Sequence, residues 1–417
     1  MYLKFILIGI FIIIVVDVYY FRAFHKFIEK LKPSIQKFFK ISYWLYSIVS
    51  IVFMLAMAYY FWTQQVPPKF ARVYLYGILF IILLSKIIGA TFIIFHDFAT
   101  LLLFIKRKLS PLFGTNKTNT PSKSRRQFIK KTAIVASAIP FATLVFGMLK
   151  TAFDFTIRKQ KLIIPNLPKS FVGLKIVQIS DIHIGSFITD EPLQKVVQLI
   201  KEQKPDIIFV TGDLVNEIAE EALPFMDVLK KITAPMGTFS ILGNHDYGDY
   251  FYQKEELEEK KNNYELMQKI HQKIGWRLLL NENHILTIDN DRLAILGVEN
   301  WGKEFRFQKF GDVDKAKNGC LENDVKLLLS HDPSHWDEKV IPYHPDISAT
   351  FAGHTHGMQF GVEVPGFKWS PSQYFYRCWA GLYKTNEQQL YVNRGLGFIG
   401  YPGRVGILPE ITVFELG

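Results

Sequence analysis

The sequence predicts an α/β domain over residues 154–417, carried behind a membrane region over residues 1–153. Three observations lead there. The formal net charge of +11 over 417 residues is a difference between unlike parts: residues 1–153 hold 20 Lys/Arg against 3 Asp/Glu, whereas the remainder is net −6. The basic part contains long apolar runs. Past residue 160, short apolar runs alternate with polar-faced helical stretches, and most of the short runs end in Asp, Asn or His.

These observations also exclude classes. An acidic C-terminal part does not form a basic groove that follows phosphates, so no specific nucleic-acid binding is expected. Cys320 and Cys378 lie outside any CxxC pair, which rules out a disulfide framework and a thiolate zinc module. A hydrophobic content of 49% rules out wholesale disorder.

Four spans are predicted. Residues 5–20 are apolar except for Asp17 and reach spanning length with their flanks. Residues 41–62 carry no charge and have aromatics at both ends, as interfacial anchoring favours. Residues 73–95 are apolar except for Lys86, and residues 132–149 are uncharged but include Pro140. Asp17 and Lys86 are costly in lipid. They read as an intramembrane ion pair or a transport site or, with more weight, as one group near a span end and one that snorkels or is paired.

Lys and Arg near span ends stay on the cytoplasmic side. Loop 21–40 holds Arg22, Lys26, Lys30, Lys32, Lys37 and Lys40, and loop 106–131 holds nine more, from Lys106 through Lys117 to Lys131. Loop 63–72 holds only Lys69 and Arg72. Both long loops are therefore expected inside, with everything after residue 149 outside. The run Ser124-Arg125-Arg126-Gln127-Phe128-Ile129-Lys130 resembles a bacterial twin-arginine export signal, with Ile129 in place of the usual Leu. Such signals normally open the chain, and this one follows three spans. It reads as a working signal for the twin-arginine export machinery, or as ordinary positive-inside residues. The expected location is a bacterial inner or cytoplasmic membrane.

In the second part, Leu174–Ile179, Ile207–Thr211, Thr238–Leu242, Leu293–Gly297, Val325–Leu329 and Ile347–Phe351 read as buried strands. Residues 191–203, 218–231 and 254–274 read as helices between them. Asp181-Ile182-His183, Gly212-Asp213, Gly243-Asn244-His245-Asp246, Ser330-His331-Asp332 and Gly353-His354-Thr355-His356-Gly357 follow five of the six strands. Strand ends at one edge of an α/β sheet converge, so these groups form a single site. Asp, Asn and His without thiolate suit manganese, iron or zinc. Seven donors suggest two such cations sharing one carboxylate, with a bridging water that becomes hydroxide near neutral pH.

These five blocks, in this order and spacing, resemble the calcineurin-like metallophosphoesterases over roughly residues 170–417, and more closely a membrane-attached branch. The resemblance implies a four-layer α-β-β-α sandwich. It implies that Asp181, His183 and His356 hold one divalent metal ion, that Asn244, His331 and His354 hold the other, and that Asp213 bridges them. It places His245 against the substrate as general acid or as a donor to the phosphoryl charge. Many relatives have an acidic residue three places after the bridging aspartate, where this chain has Asn216. Gly357-Met358-Gln359 stands where that branch has Gly-Gly-Gln, so Met358 narrows or greases a wall of the site. Arg394 and Arg404 read as substrate phosphate contacts or, with more weight, as arginines that close a strand on the surface.

His271, His284, His335 and His344 read as packed core histidines, and Tyr247, Tyr250, Phe251 and Tyr252 as a groove lining or as packing under a loop. The expected function is hydrolysis of a phosphodiester or pyrophosphate, lipid-linked or in the envelope, by a membrane-anchored enzyme. The alternatives are a non-catalytic metal-binding receptor or transporter component, and a nucleotide or protein phosphomonoesterase.

Overall fold

The structure, a computed structural model, describes residues 2–63, 68–109 and 123–417. It divides into two compact units at Phe146/Gly147. Lys117, in the second basic loop, lies outside the described residues.

The first unit is helical: α1 (Tyr2–Ile28), α2 (Pro33–Trp62), α3 (Tyr76–Leu109) and α4 (Lys123–Leu149). All four are long and apolar enough to cross a membrane. Three of the expected spans lie within one of them, the span 73–95 starts in a π-helical turn, Ala71–Leu75, that runs into α3, and residues 124–130 form the first turns of α4. Large apolar side chains such as Phe11, Ile48, Phe95 and Ile139 face outward, whereas Asp17, Ser47 and Lys86 are buried. Lys86 Nζ lies 2.7 Å from Asp17 Oδ1 and 4.0 Å from the ring centroids of Tyr43 and Tyr46. The Ser47 hydroxyl donates to the second carboxylate oxygen, and the Tyr43 hydroxyl donates to the Asp17 carbonyl at 2.8 Å. The two intramembrane charges are thus paired and solvated by hydroxyls.

The second unit holds β1 (Thr156–Leu162), β2 (Lys175–Ile179), α5 (Glu191–Gln203), β3 (Ile207–Thr211), α6 (Met226–Leu229), β4 (Thr238–Ile241), α7 (Leu257–Ile274), β5 (Arg277–Leu278), β6 (Glu282–Ile288), β7 (Asp291–Gly297), α8 (Val313–Ala316), β8 (Val325–Leu329), α9 (Ile341–Tyr343), β9 (Ile347–Ala352), β10 (Val362–Val364), β11 (Phe367–Trp369), β12 (Gly381–Thr385), β13 (Gln388–Val392) and β14 (Glu410–Leu416). One mixed sheet runs β1-β14-β2-β3-β4-β5 and a second runs β12-β13-β9-β8-β7-β6. Strand alternation splits the side chains between two cores on each sheet. Ile176, Ile207 and Phe209 point to the shared core with Leu327, Phe351 and Phe414, where the Phe209 and Phe351 rings lie 5.0 Å apart. Val177, Ile179, Ile208 and Val210 point the other way, onto Leu193, Val196, Val197 and Ile200 of α5 and Met267, Ile270 and Ile274 of α7. The second sheet sends Ala294, Leu296 and Leu328 onto Val313, Ala316, Trp336 and Val340. Helix, sheet, sheet and helix are therefore four layers, as expected.

Two expected helices differ. Over 218–231, Pro224 has no N–H for an α-helical bond, and the segment is a 3-10 turn, Ala219–Phe225, followed by the single turn of α6. The helix expected from residue 254 begins at Leu257.

Candidate metal centre

The eight expected metal-centre and catalytic residues leave the C-terminal ends of strands in both sheets. Asp181 and His183 follow β2, Asp213 follows β3, Asn244 and His245 follow β4, His331 follows β8, and His354 and His356 follow β9. Asp181, His183, Asp213, His354 and His356 all have left-handed backbone, with φ between 44° and 71°. Non-glycine residues there are strained by about 1–3 kcal/mol each and persist only where the surroundings hold them. The Asp246 carboxylate supplies much of that hold. It accepts the backbone N–H of Asp213 and Gly243, each at 2.9 Å, and those of Leu214 and Val215 at 2.9 and 3.2 Å. Gly243 is obligatory in this knot, because a Cβ there would stand 2.2 Å from Asp213 Oδ1.

Three groups of donor atoms result, each within 4.8 Å: Asp181, His183 and His356; His183, Asp213 and His245; and Asp213, His331 and His354. Asn244 joins the last, its Oδ1 2.7 Å from His354 Nδ1. Asp213 Oδ2 lies 3.5 Å from His183 Nε2 and 3.1 Å from His331 Nε2, which places that carboxylate between the two sides. Asp181 lies 3.2 Å from His356 Nε2 and also accepts the His354 backbone N–H at 2.9 Å.

The protonation pattern fits divalent cations. His183 Nδ1 donates to the Val215 carbonyl at 3.1 Å and His331 Nδ1 to the Thr211 carbonyl at 2.7 Å, since a carbonyl only accepts. Both Nε2 atoms therefore point inward. That of His183 faces His356 Nε2 at 3.0 Å, and that of His331 is buried with no hydrogen-bond partner. Burial keeps the His183 imidazole well below its ordinary pKa, so its lone pair is free. Burial also opposes charge on His331, yet the Asp213 carboxylate pulls its pKa up to about 10, as a cation placed between them would reverse. Burial would raise Asp213, but His331, His245 and His183 hold it well below the usual carboxylate range. Inward-facing imidazole nitrogens and ionised carboxylates are the donor set of a divalent metal site.

A family model described as calcineurin-like phosphoesterase matches residues 174–358. The second unit carries a calcineurin-like phosphoesterase domain. A model described as the probable transmembrane domain of such phosphoesterases matches residues 3–152, which makes this a membrane protein. The chain is 29% identical over 295 residues to a transmembrane protein with metallophosphoesterase domain from Danio rerio, covering 67% of this chain and 61% of that one. It is 29% identical over 304 residues to the uncharacterized metallophosphoesterase YkuE of Bacillus subtilis, covering 70% and 97%. It is 28% identical over 280 residues to UDP-2,3-diacylglucosamine pyrophosphatase LpxG of Chlamydia muridarum, covering 55% and 81%.

Several residues that support the phosphoesterase site had no assigned role in the sequence. Tyr250 accepts from Asn244 Nδ2 at 2.8 Å, which turns the amide oxygen toward His354. Tyr376 places its hydroxyl 2.7 Å from His354 Nε2, and Asp332 Oδ2 lies 3.5 Å from the same nitrogen. Such partners fix ring orientation and ligand basicity. Asp332 and Asp246 lie beside motif residues, a local signal; Tyr376 lies in no motif. Of the aromatic run, Tyr247 packs under a loop with its hydroxyl accepting from Asn300 N at 3.1 Å, and Tyr250 faces the site.

His245 Nδ1 donates to the main-chain carbonyl of Asn216 at 2.6 Å, so the backbone orients a ring for which the Asn216 side chain offers no carboxylate. Arg394 and Arg404 do not lie on the surface as expected but are both buried. Arg394 binds Glu410 and Glu363 at 2.5 and 2.7 Å. Arg404 binds the carbonyls of Gly397 and Arg394 and approaches His356 Nδ1 at 3.1 Å, so the guanidinium groups are committed to the protein.

Proposed function

We propose that this chain is a binuclear metal-dependent phosphoesterase anchored in a bacterial inner or cytoplasmic membrane, acting on a phosphodiester or pyrophosphate of the lipid or envelope. The observation that carries the reading is the convergence of seven donor side chains, with Asp213 between its two sides. The excess of Lys and Arg in loops 21–40 and 106–131 supports an extracytoplasmic catalytic domain, and the twin-arginine-like run supports export of a folded, metal-loaded unit. The pyrophosphatase name of the Chlamydia relative supports a lipid-linked pyrophosphate.

In this reading Asp181, His183 and His356 hold one cation, Asn244, His331 and His354 hold the other, and Asp213 serves both. When bound, the two cations supply positive charge against the phosphoryl oxygens and acidify water to near-neutral pKa. The chain's own residues do the rest. Asp213 and Asp181 fix the spacing of the two sides. His245 is anchored through Nδ1 to Asn216, so the proton it gives to the leaving oxygen departs from Nε2. Arg394 and Arg404 brace the wall behind His356 and leave the substrate phosphate to the metal side.

The test is turnover by purified full-length protein with added manganese. Hydrolysis of bis-p-nitrophenyl phosphate or p-nitrophenyl phosphate is expected, and inertness toward both ends the reading.

A further inference from the structure

The hairpin formed by β10 and β11 turns its apolar face outward. Val362 pairs with Trp369, Glu363 with Lys368 and Val364 with Phe367 across an antiparallel ladder, and directly opposed residues share a face. One face is therefore Glu363 and Lys368, and it is tied to the domain. Glu363 binds Arg158 and Arg394, each at 2.7 Å, and Lys368 Nζ donates to the Ala380 carbonyl at 2.6 Å. The other face is Val362, Val364, Phe367 and Trp369, and it points away: Val364 is 53% and Phe367 57% exposed. A hairpin of a water-soluble domain buries its apolar face and wets the polar one. Here the apolar face is left exposed.

The apolar surface extends beyond the hairpin. Phe360 packs edge-on against Trp369 with centroids 6.4 Å apart, and Tyr374 and Phe375 are each 71% exposed in the turn that follows. Among Met358–Phe375 the charges are Glu363 and Lys368, both on the pinned face. A contiguous exposed patch of this kind marks a contact with another phase or molecule. The segment is bracketed by the metal centre. His356 precedes it, Ser370 donates to the Gly357 carbonyl at 2.6 Å, and Tyr376 reaches His354.

We propose that the outward face of the β10–β11 hairpin is a membrane-contacting surface that seats against lipid beside the metal centre. The occupant is argued from three features. The same chain carries four helices able to span a bilayer, so lipid is the apolar phase held permanently within its reach. Trp, Tyr and Phe dominate the patch, as at the boundary between head groups and hydrocarbon. No charge lies on the apolar face to specify a polar protein partner; Lys368 is exposed but belongs to the opposite face. The proposal deepens the hydrolytic reading by presenting the site to amphiphilic phosphoesters, and it rests on that reading only for this consequence.

The test uses full-length protein with Cys320→Ser in nanodiscs of phosphatidylethanolamine and phosphatidylglycerol, spin-labelled at Phe367→Cys or, on the same face, at Val364→Cys. Leu257→Cys, at an exposed position of α7, is the aqueous reference. The hairpin label is expected to be more accessible to oxygen than to a soluble nickel chelate, with the reverse at 257. Equal chelate accessibility at both positions would overturn the proposal. So would spin–spin broadening at 367 that vanishes on dilution with unlabelled protein, because that outcome assigns the face to a second copy. Accessibility is read without turnover. A lipid-facing 367 in a protein inert toward p-nitrophenyl substrates would retain the membrane surface and reject the hydrolase.

Discussion

The phenol ring of Tyr250 lies flat on the imidazole of His245, with centroids 4.1 Å apart and planes 14° apart, while its hydroxyl accepts from Asn244. One side chain thus fixes the plane of the proposed acid and selects which atom of Asn244 enters the site. Tyr250→Phe keeps the stack and loses the hydrogen bond, and kcat/KM is expected to fall about tenfold; Tyr250→Ala loses both, with a fall of about 100-fold. Steady-state kinetics with p-nitrophenyl substrates checks this, and wild-type rates in the alanine variant would refute it.

Asp246 is expected to matter for stability before chemistry. Asp246→Ala leaves four buried backbone N–H groups without their acceptor in a loop already held at positive φ. The cost is about 3–5 kcal/mol, which lowers Tm by about 10 °C in a domain of this size. Thermal unfolding of the detergent-solubilised protein measures it.

His271 gives the domain a pH dependence that is separate from the metal centre. Burial pushes its pKa down to about 4, against a partial rise from its Nδ1 bond to the Met267 carbonyl at 2.8 Å. The folded pKa is below the unfolded one, so the unfolded state binds more protons between pH 4 and 6.5. The contribution of neutral His271 is complete above that window and is lost as pH falls through it, about 2 kcal/mol at pH 5. His271→Leu should flatten the Tm difference between pH 7 and pH 5 by about 5 °C. An unchanged difference would place the response elsewhere.

The Asp17–Lys86 pair predicts non-additivity. Lys86→Met alone strands a buried carboxylate among the helices and is expected to destabilise the solubilised protein by about 3 kcal/mol; adding Asp17→Asn removes the stranded charge and restores most of the loss. Equal or additive damage in the double variant would mean that the pair is not energetically coupled.

The sequence made the chemistry legible and the scaffolding much less so. Asp, Asn and His after apolar runs, with glycine beside Asp213, Asn244, His354 and His356, announce strand ends that converge, and the structure brings these side chains together. The four-layer fold was legible through the resemblance and through β2, β3, β4, β7, β8 and β9, whose near-continuous apolar runs reflect burial on both faces. Strands β1, β12 and β14 escaped because they carry charged or polar residues within the run, such as Lys159, Lys384 and Glu415. Residues 218–231 kept helical periodicity while Pro224 broke the hydrogen bonding. Tyr376 reaches His354 across 22 positions, and nothing local in sequence encodes a contact made only by folding. The outward apolar face of the hairpin shares that origin, since it depends on Arg158 and Arg394 meeting Glu363.

The shared carboxylate is the centre of this account, and Asp213→Asn tests it most directly. With manganese present, turnover of bis-p-nitrophenyl phosphate should fall by about 1,000-fold or more relative to the wild type, because one substitution weakens both halves of the site. Turnover by Asp213→Asn within a few-fold of the wild type would contradict the binuclear mechanism.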